Sequence, residues 1–253
     1  MEPNNNIIWG FADVDDCIMT SSRLCPEPGS EVVAVDDKGA VCGWLTPKQK
    51  QFLALLNGRM EMVLTTARTS KGVSQLSLPV KGYVIASFGG VIRTPGGQSE
   101  PRFRALMTEQ AAAASDTLKG LLSLMQAHCT SNDIDARLRI AADDGLDLFL
   151  SIKHNKRDLV AMAALKEKLA AALAPGWHLH FNGNFLAAMP PFLGKDKAVR
   201  WFIDNIARPG DLTVGLGDSR SDLPFMGLCD LAITPTGSQI FSHCLSNIQG
   251  GNL

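Results

Sequence analysis

Carboxylates gather at two places in this chain where an apolar run stops. The run Ile7-Ile8-Trp9-Gly10-Phe11-Ala12 leads straight into Asp13-Val14-Asp15-Asp16, and Thr213-Val214-Gly215-Leu216 leads into Gly217-Asp218-Ser219-Arg220-Ser221-Asp222. Carboxylates at the end of an apolar strand are costly to bury unless they are paired or bind a cation. Asp13 and Asp15 are two apart, so a regular strand would point both to one side. In such a pair one carboxylate can attack phosphorus while the other trades protons. Asp218 and Asp222 are four apart, so a helical turn would bring them to one face. With Asp13 they offer the hard oxygen ligands that magnesium takes. Each segment alone also fits a plainer role. The first reads as a solvated loop with capping aspartates, the second as an N-capping Asp218 with Asp222 in the first turn.

Two more segments carry candidate chemistry. Leu64-Thr65-Thr66-Ala67-Arg68 again follows an apolar run. The Thr66 hydroxyl and the amide of Ala67 can both donate to a phosphate oxygen. A capping threonine at an ordinary strand-to-helix turn accounts for the same residues. Lys195, in Gly194-Lys195-Asp196-Lys197, opens a helix, where the dipole disfavours a cation. That placement points to another use, such as neutralising a carboxylate and a transferring phosphoryl group. An exposed surface lysine is the alternative, and Lys197 competes for the role.

The elements that would position these groups alternate. Strand-like runs at Ile7–Ala12, Met60–Thr65 and Thr213–Leu216 are separated by helix-like stretches. Pro47 to Leu56 has Thr46 as N-cap and proline in the first turn, and Asp196 to Ile206 forms another. This alternation predicts an α/β fold with a Rossmann-like parallel-sheet core covered on both faces. Ligands bind such sheets at the carboxyl ends of the strands, where the polar clusters lie. Two segments break the pattern. Glu31 to Leu45 places β-prone arms around Asp36-Asp37-Lys38-Gly39, a hairpin that would form a flap at residues 31–45. Roughly Pro95 to Ala188 reads as α+β: a helix around Thr108 to His128, strands in Leu138–Ala142 and Leu146–His154, a helix around Asp158 to Leu173, then Trp177–Met189. The expected division is a core of residues 1–95 and 189–253 with an inserted α+β cap of residues 96–188. The Gly-Asn-rich C-terminal tail is expected to fray.

Bulk properties exclude several classes. The chain has 253 residues, 45% hydrophobic, with 24 basic and 25 acidic side chains and a formal charge of -1. That balance gives no support to a nucleic-acid partner. The N-terminus lacks a basic segment followed by an apolar run, and no apolar stretch is long enough to span a bilayer, so neither secretion nor a membrane partner is expected. Cys17, Cys25, Cys42, Cys129, Cys229 and Cys244 are scattered without a CxxC pair. Zinc is therefore not expected, and reduced thiols in a cytoplasmic protein are.

Taken in order, the four polar segments resemble the motif set of the haloacid dehalogenase (HAD) superfamily. Asp13-Val14-Asp15 matches its DxD motif, Thr66 its second-motif Thr/Ser, Lys195 its third-motif lysine, and Gly217-Asp218-Ser219 through Asp222 its GDxxxD motif. The insertion between the second and third motifs is similar to the subgroup with a type 2 cap, which includes Cof-like, sucrose-phosphate and trehalose-phosphate phosphatases. The resemblance implies Asp13 as nucleophile and Mg2+ ligand. Asp15 would act as acid/base and lend its backbone carbonyl to the metal. Thr66 and Ala67 would hold phosphoryl oxygens, and Lys195 would screen Asp13 from the phosphate. Asp218 would bind the metal and Asp222 would support it. It further implies a Mg2+-dependent phosphomonoester hydrolase for a small phosphorylated metabolite of the sugar-phosphate kind. A phosphomutase or phosphotransferase on the same scaffold, and a non-catalytic binding protein, are the alternatives. Cys17, Ala67 and Ser87-Phe88-Gly89-Gly90 depart from the family pattern, where threonine, glycine and Ser-Asn-Gly-Ala are common. Within the cap, Arg137, Arg139, Lys153, His180, Asn182 and Asn184 are candidates for substrate contact, although an arginine in an alternating strand also suits a solvated face. His178 and His180 share a strand face but have no cysteine or acidic partner nearby in sequence for zinc. The sequence leaves the oligomeric state open.

Overall fold

Strands and helices alternate in the computed structural model, which describes residues 6–22, 24 and 26–249. In chain order the elements are β1 (Ile8–Ala12), β2 (Thr20–Ser21), β3 (Glu31–Val35), β4 (Val41–Leu45), α1 (Pro47–Asn57), β5 (Glu61–Thr65), α2 (Ser70–Ser74), β6 (Gly82–Ala86) and β7 (Val91–Arg93). They continue with α3 (Pro101–Ser131), β8 (Ala136–Asp143), β9 (Leu146–His154), α4 (Leu159–Ala170), β10 (His178–Asn182) and β11 (Phe185–Met189). The last are α5 (Lys195–Asn205), β12 (Leu212–Leu216), α6 (Leu223–Met226), β13 (Leu231–Ile233) and α7 (Gln239–Gln249). Two compact units result: Met1–Glu100 with Lys195–Leu253, and Pro101–Gly194. The junctions fall a few residues beyond the 95/96 and 188/189 boundaries read from the sequence. At the first, the Glu100 N–H still donates to the Ile92 carbonyl and Arg93 bridges Ser99, which ties this stretch to β7. Cys25 and residues 250–253 of the tail lie outside the described residues; the other five cysteines are free thiols.

The first unit is built on a six-stranded sheet of order β13-β12-β1-β5-β6-β7, parallel except for β7. From β1 the chain builds outward to β5 and β6 on one side and to β12 and β13 on the other. The strand order thus reverses beside β1, and the crevice at such a point is where ligands bind. Register brings the motifs level: Ala12 lies opposite both Leu64 and Leu216, so three motif-bearing strands end in one row. Side-chain alternation fixes the two faces. Ala12, Met62, Leu64, Val214 and Leu216 pack with Leu53 and Leu56 of α1. Trp9 and Phe11 point the other way, edge-on to Phe202 of α5 at centroid distances of 5.0 and 5.3 Å, with Tyr83 at 5.0 Å. This aromatic cluster anchors α5, and with it Lys195. Helix α1 begins as expected, with Thr46 and Gln49 forming a reciprocal capping box on either side of Pro47. The hairpin expected at residues 31–45 is present as β3 and β4. It gains a third strand, β2, which the sequence reading lacked, and Ser77 N–H donates to Val33 O to pin it to the core.

The second unit is an antiparallel sheet of order β10-β11-β9-β8 with α3 and α4 against one face. Leu118, Leu121 and Met125 of α3 and Met162, Leu165 and Leu169 of α4 bury Leu150, Ile152, Leu186 and Ala188. Helix α3 starts at Pro101 rather than near Thr108, because the buried stripe of Phe103, Met107, Ala111 and Ala114 continues the helical spacing backwards. Proline suits the first helical position, where its missing N–H has no intrahelical partner to lose.

Candidate active site

Asp13 stands one residue past the end of β1, and its N–H extends the ladder by donating to Leu216 O at 2.8 Å. It keeps the parity of Trp9 and Phe11, which face α5. Lys195, the first residue of α5, reaches back so that its Nζ donates to Asp13 Oδ1 at 2.6 Å and to Asp222 Oδ1 at 2.7 Å. The three side chains are nearly closed to solvent, at 9% exposure for Asp13 and Lys195 and 0% for Asp222. Carboxylate oxygens of Asp13, Asp218 and Asp222 lie within 4.8 Å of one another. The cation at the start of a helix is thus explained: two buried carboxylates hold it there. Lys197 is exposed and does not take this place.

Asp218 and Asp222 meet through an irregular turn, not the helical turn expected from their spacing, because α6 begins only at Leu223. Asp222 is held on every side. Its Oδ2 accepts from the Ser219 N–H at 3.0 Å and the Ser219 hydroxyl at 2.7 Å, while Oδ1 takes Lys195. Both of its oxygens are engaged, so Asp222 orients Lys195, and Asp13 and Asp218 are the freer ligand candidates. Gly217 makes this packing possible: a Cβ there would lie 2.5 Å from Asp222 Cβ and 2.7 Å from Met226 Sδ.

Asp15 departs from the strand-alternation expectation. The strand stops at Ala12, and Asp16 takes a left-handed conformation with φ of 64°. Its Oδ1 accepts the Ser21 N–H at 2.8 Å and closes the turn. Asp15 is turned toward Arg68, whose Nε donates to Oδ2 at 2.8 Å and Nη2 to Oδ1 at 2.7 Å. This two-pronged geometry is the strongest form of carboxylate pairing. Arg68 also lies 4.0 Å from Cys42 Sγ on β4, which links the flap to the pair. Sequence reasoning quoted Arg68 beside Thr66 but gave it no role. Its position two residues after the motif threonine Thr66 is the available signal. Thr66 is buried at the end of β5, its N–H bonded to Ile85 O at 2.8 Å and its Oγ1 accepting the Arg68 N–H at 3.1 Å. The hydroxyl caps its own turn and keeps its proton for another acceptor. Ala67 follows it, half-buried. The Ser87-Phe88 turn braces this loop from behind: Ser87 N–H donates to Arg68 O at 2.7 Å and Phe88 N–H to Thr66 O at 3.1 Å.

Several carboxylates sharing one ammonium cannot all ionise without a further cation. Burial pushes Asp13 up to about 8; Lys195 opposes this, and Asp222 and Asp218 add to it. Asp218 rises to about 6, through burial and then Asp222 and Asp16. Burial alone would lower Lys195, but Asp13 and Asp222 overcome it and raise the group above its ordinary value. Cys17 is driven upward by burial and by the same carboxylates, and so stays a thiol. Pairing with Asp15 raises Arg68 against the effect of burial. The donor set, three carboxylates without nitrogen or sulfur, fits a hard divalent cation such as Mg2+.

In the second unit, Arg137 and Arg139 are exposed on β8, Lys153 is exposed on β9, and His180 and Asn182 lie on β10. Arg137 pairs directly with Lys153, and Arg139 with Ser151. Asn184 serves the sheet itself: its Nδ2 donates to His154 O at 2.9 Å, tying the turn after β10 to β9.

The core sheet with this acidic cluster at its carboxyl edge, together with a separate α+β unit, defines the HAD-type fold with a cap. Solved structures share this fold. The chain is similar to the C-terminal domain of trehalose-6-phosphate phosphatase from C. albicans, with a TM-score of 0.56 and 10% identity over 88% of this chain and 73% of that one. It is similar to the sucrose-phosphatase of Synechocystis, solved with sucrose and phosphate, with a TM-score of 0.51 and 13% identity over 96% and 97%. A HAD-superfamily phosphatase from Bacteroides thetaiotaomicron matches with a TM-score of 0.50 and 12% identity over 100% and 99%. No protein-family model and no curated protein matches the chain. At these identities the likeness establishes the fold.

Proposed function

We propose that the protein is a HAD-superfamily phosphatase, a phosphomonoester hydrolase working through a phospho-aspartate on Asp13, with a small phosphorylated metabolite of the sugar-phosphate kind as substrate. The observation that carries this reading is the Lys195 ammonium bonded to both Asp13 and Asp222, with the Asp218 carboxylate in ligand range. Distant segments have no reason to bury such a charge cluster for stability alone, since buried ion pairs stabilise little beyond well-packed apolar residues. The named activities of the similar structures agree with it.

The residues divide the work as follows. An Asp13 carboxylate oxygen attacks phosphorus in line, and the ester P–O bond breaks. Asp15 gives a proton to the leaving oxygen, so one prong of the Arg68 contact must open for that transfer. Asp15 then takes a proton from water as the water oxygen attacks phosphorus, the Asp13–phosphorus bond breaks, and phosphate leaves. Thr66 O–H and Ala67 N–H orient the phosphoryl oxygens, and Lys195 neutralises charge between them and Asp13. Mg2+ bound by Asp13 and Asp218, with the Asp15 carbonyl, would add charge neutralisation at those oxygens. A cytoplasmic setting goes with this reading, with the five described cysteines free; no helix among the described residues is long and apolar enough to cross a membrane.

The test is phosphate release from a panel of phosphorylated metabolites with Mg2+, beside Asp13→Asn. Steady release without any sugar acceptor is expected, and it separates hydrolysis from a mutase or phosphotransferase. The variant should lose activity by at least about three orders of magnitude, as removal of a covalent nucleophile does. Full activity in Asp13→Asn would disprove the assignment.

A further inference from the structure

The sheet of the second unit ends in a long open edge. Its order β10-β11-β9-β8 puts β8 outermost, with eight residues against the five of β10 at the opposite edge. Among the described residues, nothing outside β9 takes a main-chain N–H or C=O of residues 137–142. The register shift in this hairpin skips Leu148 of β9, so β8 itself runs unbroken. An edge of this length and regularity is a template for another strand.

The charges on β8 decide which strand fits. Side chains alternate, so Arg137, Arg139, Ala141 and Asp143 share one face, and Leu138, Ile140 and Ala142 the other. Residues directly opposite in an antiparallel pair share a face. A second copy of β8 can therefore extend the sheet antiparallel only about a two-fold axis normal to it, with one residue facing its own copy. An axis at Leu138 sets Arg137 against the partner's Arg139, twice. An axis at Arg139 sets that residue against its own copy and Asp135 against the partner's Asp143. An axis at Ile140 leaves no like charges opposed. Arg137 then lies opposite the partner's Asp143, twice, Arg139 opposite Ala141, Leu138 opposite Ala142, and Ile140 opposite itself. An axis at Ala141 also matches charges, through Arg139 and Asp143, but it pairs only the five residues 139–143, against the seven residues 137–143 of the Ile140 axis. Opposite charges facing across strands stabilise a pairing and like charges destabilise it. The arginines that guard this edge against indiscriminate pairing thus admit one register of the strand with itself. Asp143 also interacts within its own chain, and the acceptor sites of a carboxylate leave room for a guanidinium besides.

The helix-covered side suits the same register. A cavity of about 680 Å³ lies where α3 meets the start of β8, with Gln126, Cys129 and Thr130 on one wall and Ala136 and Leu138 on the other. The Ile140 axis brings the partner's Ala142, small and apolar, up to Leu138. We infer that β8 is a self-association edge, through which two copies of this chain join antiparallel about a two-fold axis at Ile140 to form one continuous sheet. The pairing needs neither turnover nor metal, so it stands apart from the phosphatase reading.

Sedimentation velocity of the full chain over a concentration series tests it. The mass should rise from 27.2 kDa toward twice that value, with a dissociation constant on the order of 10 µM for so small a contact. Arg137→Asp sets carboxylate against carboxylate twice and should weaken association at least about tenfold. Asp143→Arg should do the same with two guanidinium groups, and the two changes together should restore it. Ile140→Cys gives a second readout that leaves the charges alone. Its thiols would face each other with Cα atoms roughly 4.5–5.5 Å apart, within disulfide reach. Mild oxidation should then yield a cross-linked dimer that neither the parent nor Leu138→Cys yields. A single-chain mass up to about 500 µM would overturn the inference, as would association untouched by the single charge reversals or not regained in the double variant. A cross-link favouring Leu138→Cys would overturn it too, and so would open-ended oligomers, which a two-fold contact cannot build.

Discussion

Replacing Lys195 with methionine keeps the stem of the side chain and removes its charge from between two buried carboxylates. Breaking a buried ion pair by deleting one partner costs about 3–5 kcal/mol, because the other charge is left uncompensated. Two features place this case near the lower end. Asp222 keeps both hydrogen bonds from Ser219. Asp13, which titrates near 8, is largely protonated at pH 7 without metal, so Asp222 is the main ionic partner lost. The expected loss is about 3 kcal/mol at pH 7 in chelator, read from urea unfolding by tryptophan fluorescence. The pH dependence follows from the directions. The raised Asp13 pKa makes its contribution complete below the ordinary carboxylate value of 3.8, and it is lost as pH rises through about 8. Lys195, raised above 10.5, keeps its contribution through that whole range. Above pH 8 the parent's Asp13 ionises onto Lys195, whereas in the variant it stays protonated, so the gap between them should widen there. Adding Asp222→Asn neutralises the stranded carboxylate and should return part of the loss, with a coupling of about 1–3 kcal/mol. An unchanged unfolding midpoint in Lys195→Met, or strict additivity in the double variant, would refute the claim that Lys195 is held by both acids.

Arg68→Lys keeps the charge but not the fork on Asp15. It should lower kcat about tenfold with little change in KM, the equivalent of losing one charge-assisted hydrogen bond; a variant turning over faster than the parent would mean that the fork restrains Asp15 instead of aiding it. Asp15→Asn should lower kcat by about 10²–10⁴, measured by phosphate release, and activity near that of the parent would remove Asp15 from acid–base duty. Gly217→Ala forces a methyl against Asp222, which Lys195 and Ser219 hold in place. It should cost about 1–3 kcal/mol and lower the melting temperature accordingly, and an unshifted melt would contradict the close packing. Mg2+ affinity should rise with pH between 6 and 8, because Asp218 near 6 and Asp13 near 8 must ionise to ligate. Titrations in buffers of different ionisation enthalpy should show proton release, and a flat profile would exclude these ligands.

What the sequence shows and what it hides separate along a physical line. The sheet and the four clusters were readable because they depend on local pattern: apolar runs of strand length, a proline and a capping threonine before α1, and acids where the runs stop. A parallel sheet then brings the strand ends into one row with no further information, as Ala12, Leu64 and Leu216 show. Roles within the cluster were harder to read, because they depend on pairings between residues far apart in the chain. The spacing of Asp218 and Asp222 suggests a shared helical face, but an irregular turn joins them, and Asp222 spends its oxygens on Lys195 and Ser219. The spacing of Asp13 and Asp15 suggests a shared strand face, but the strand ends first and Arg68, 53 positions away, claims Asp15. In each case local periodicity was overridden by a charge needing a partner in a poorly solvated place, where an unpaired ion costs more than a broken strand or helix turn.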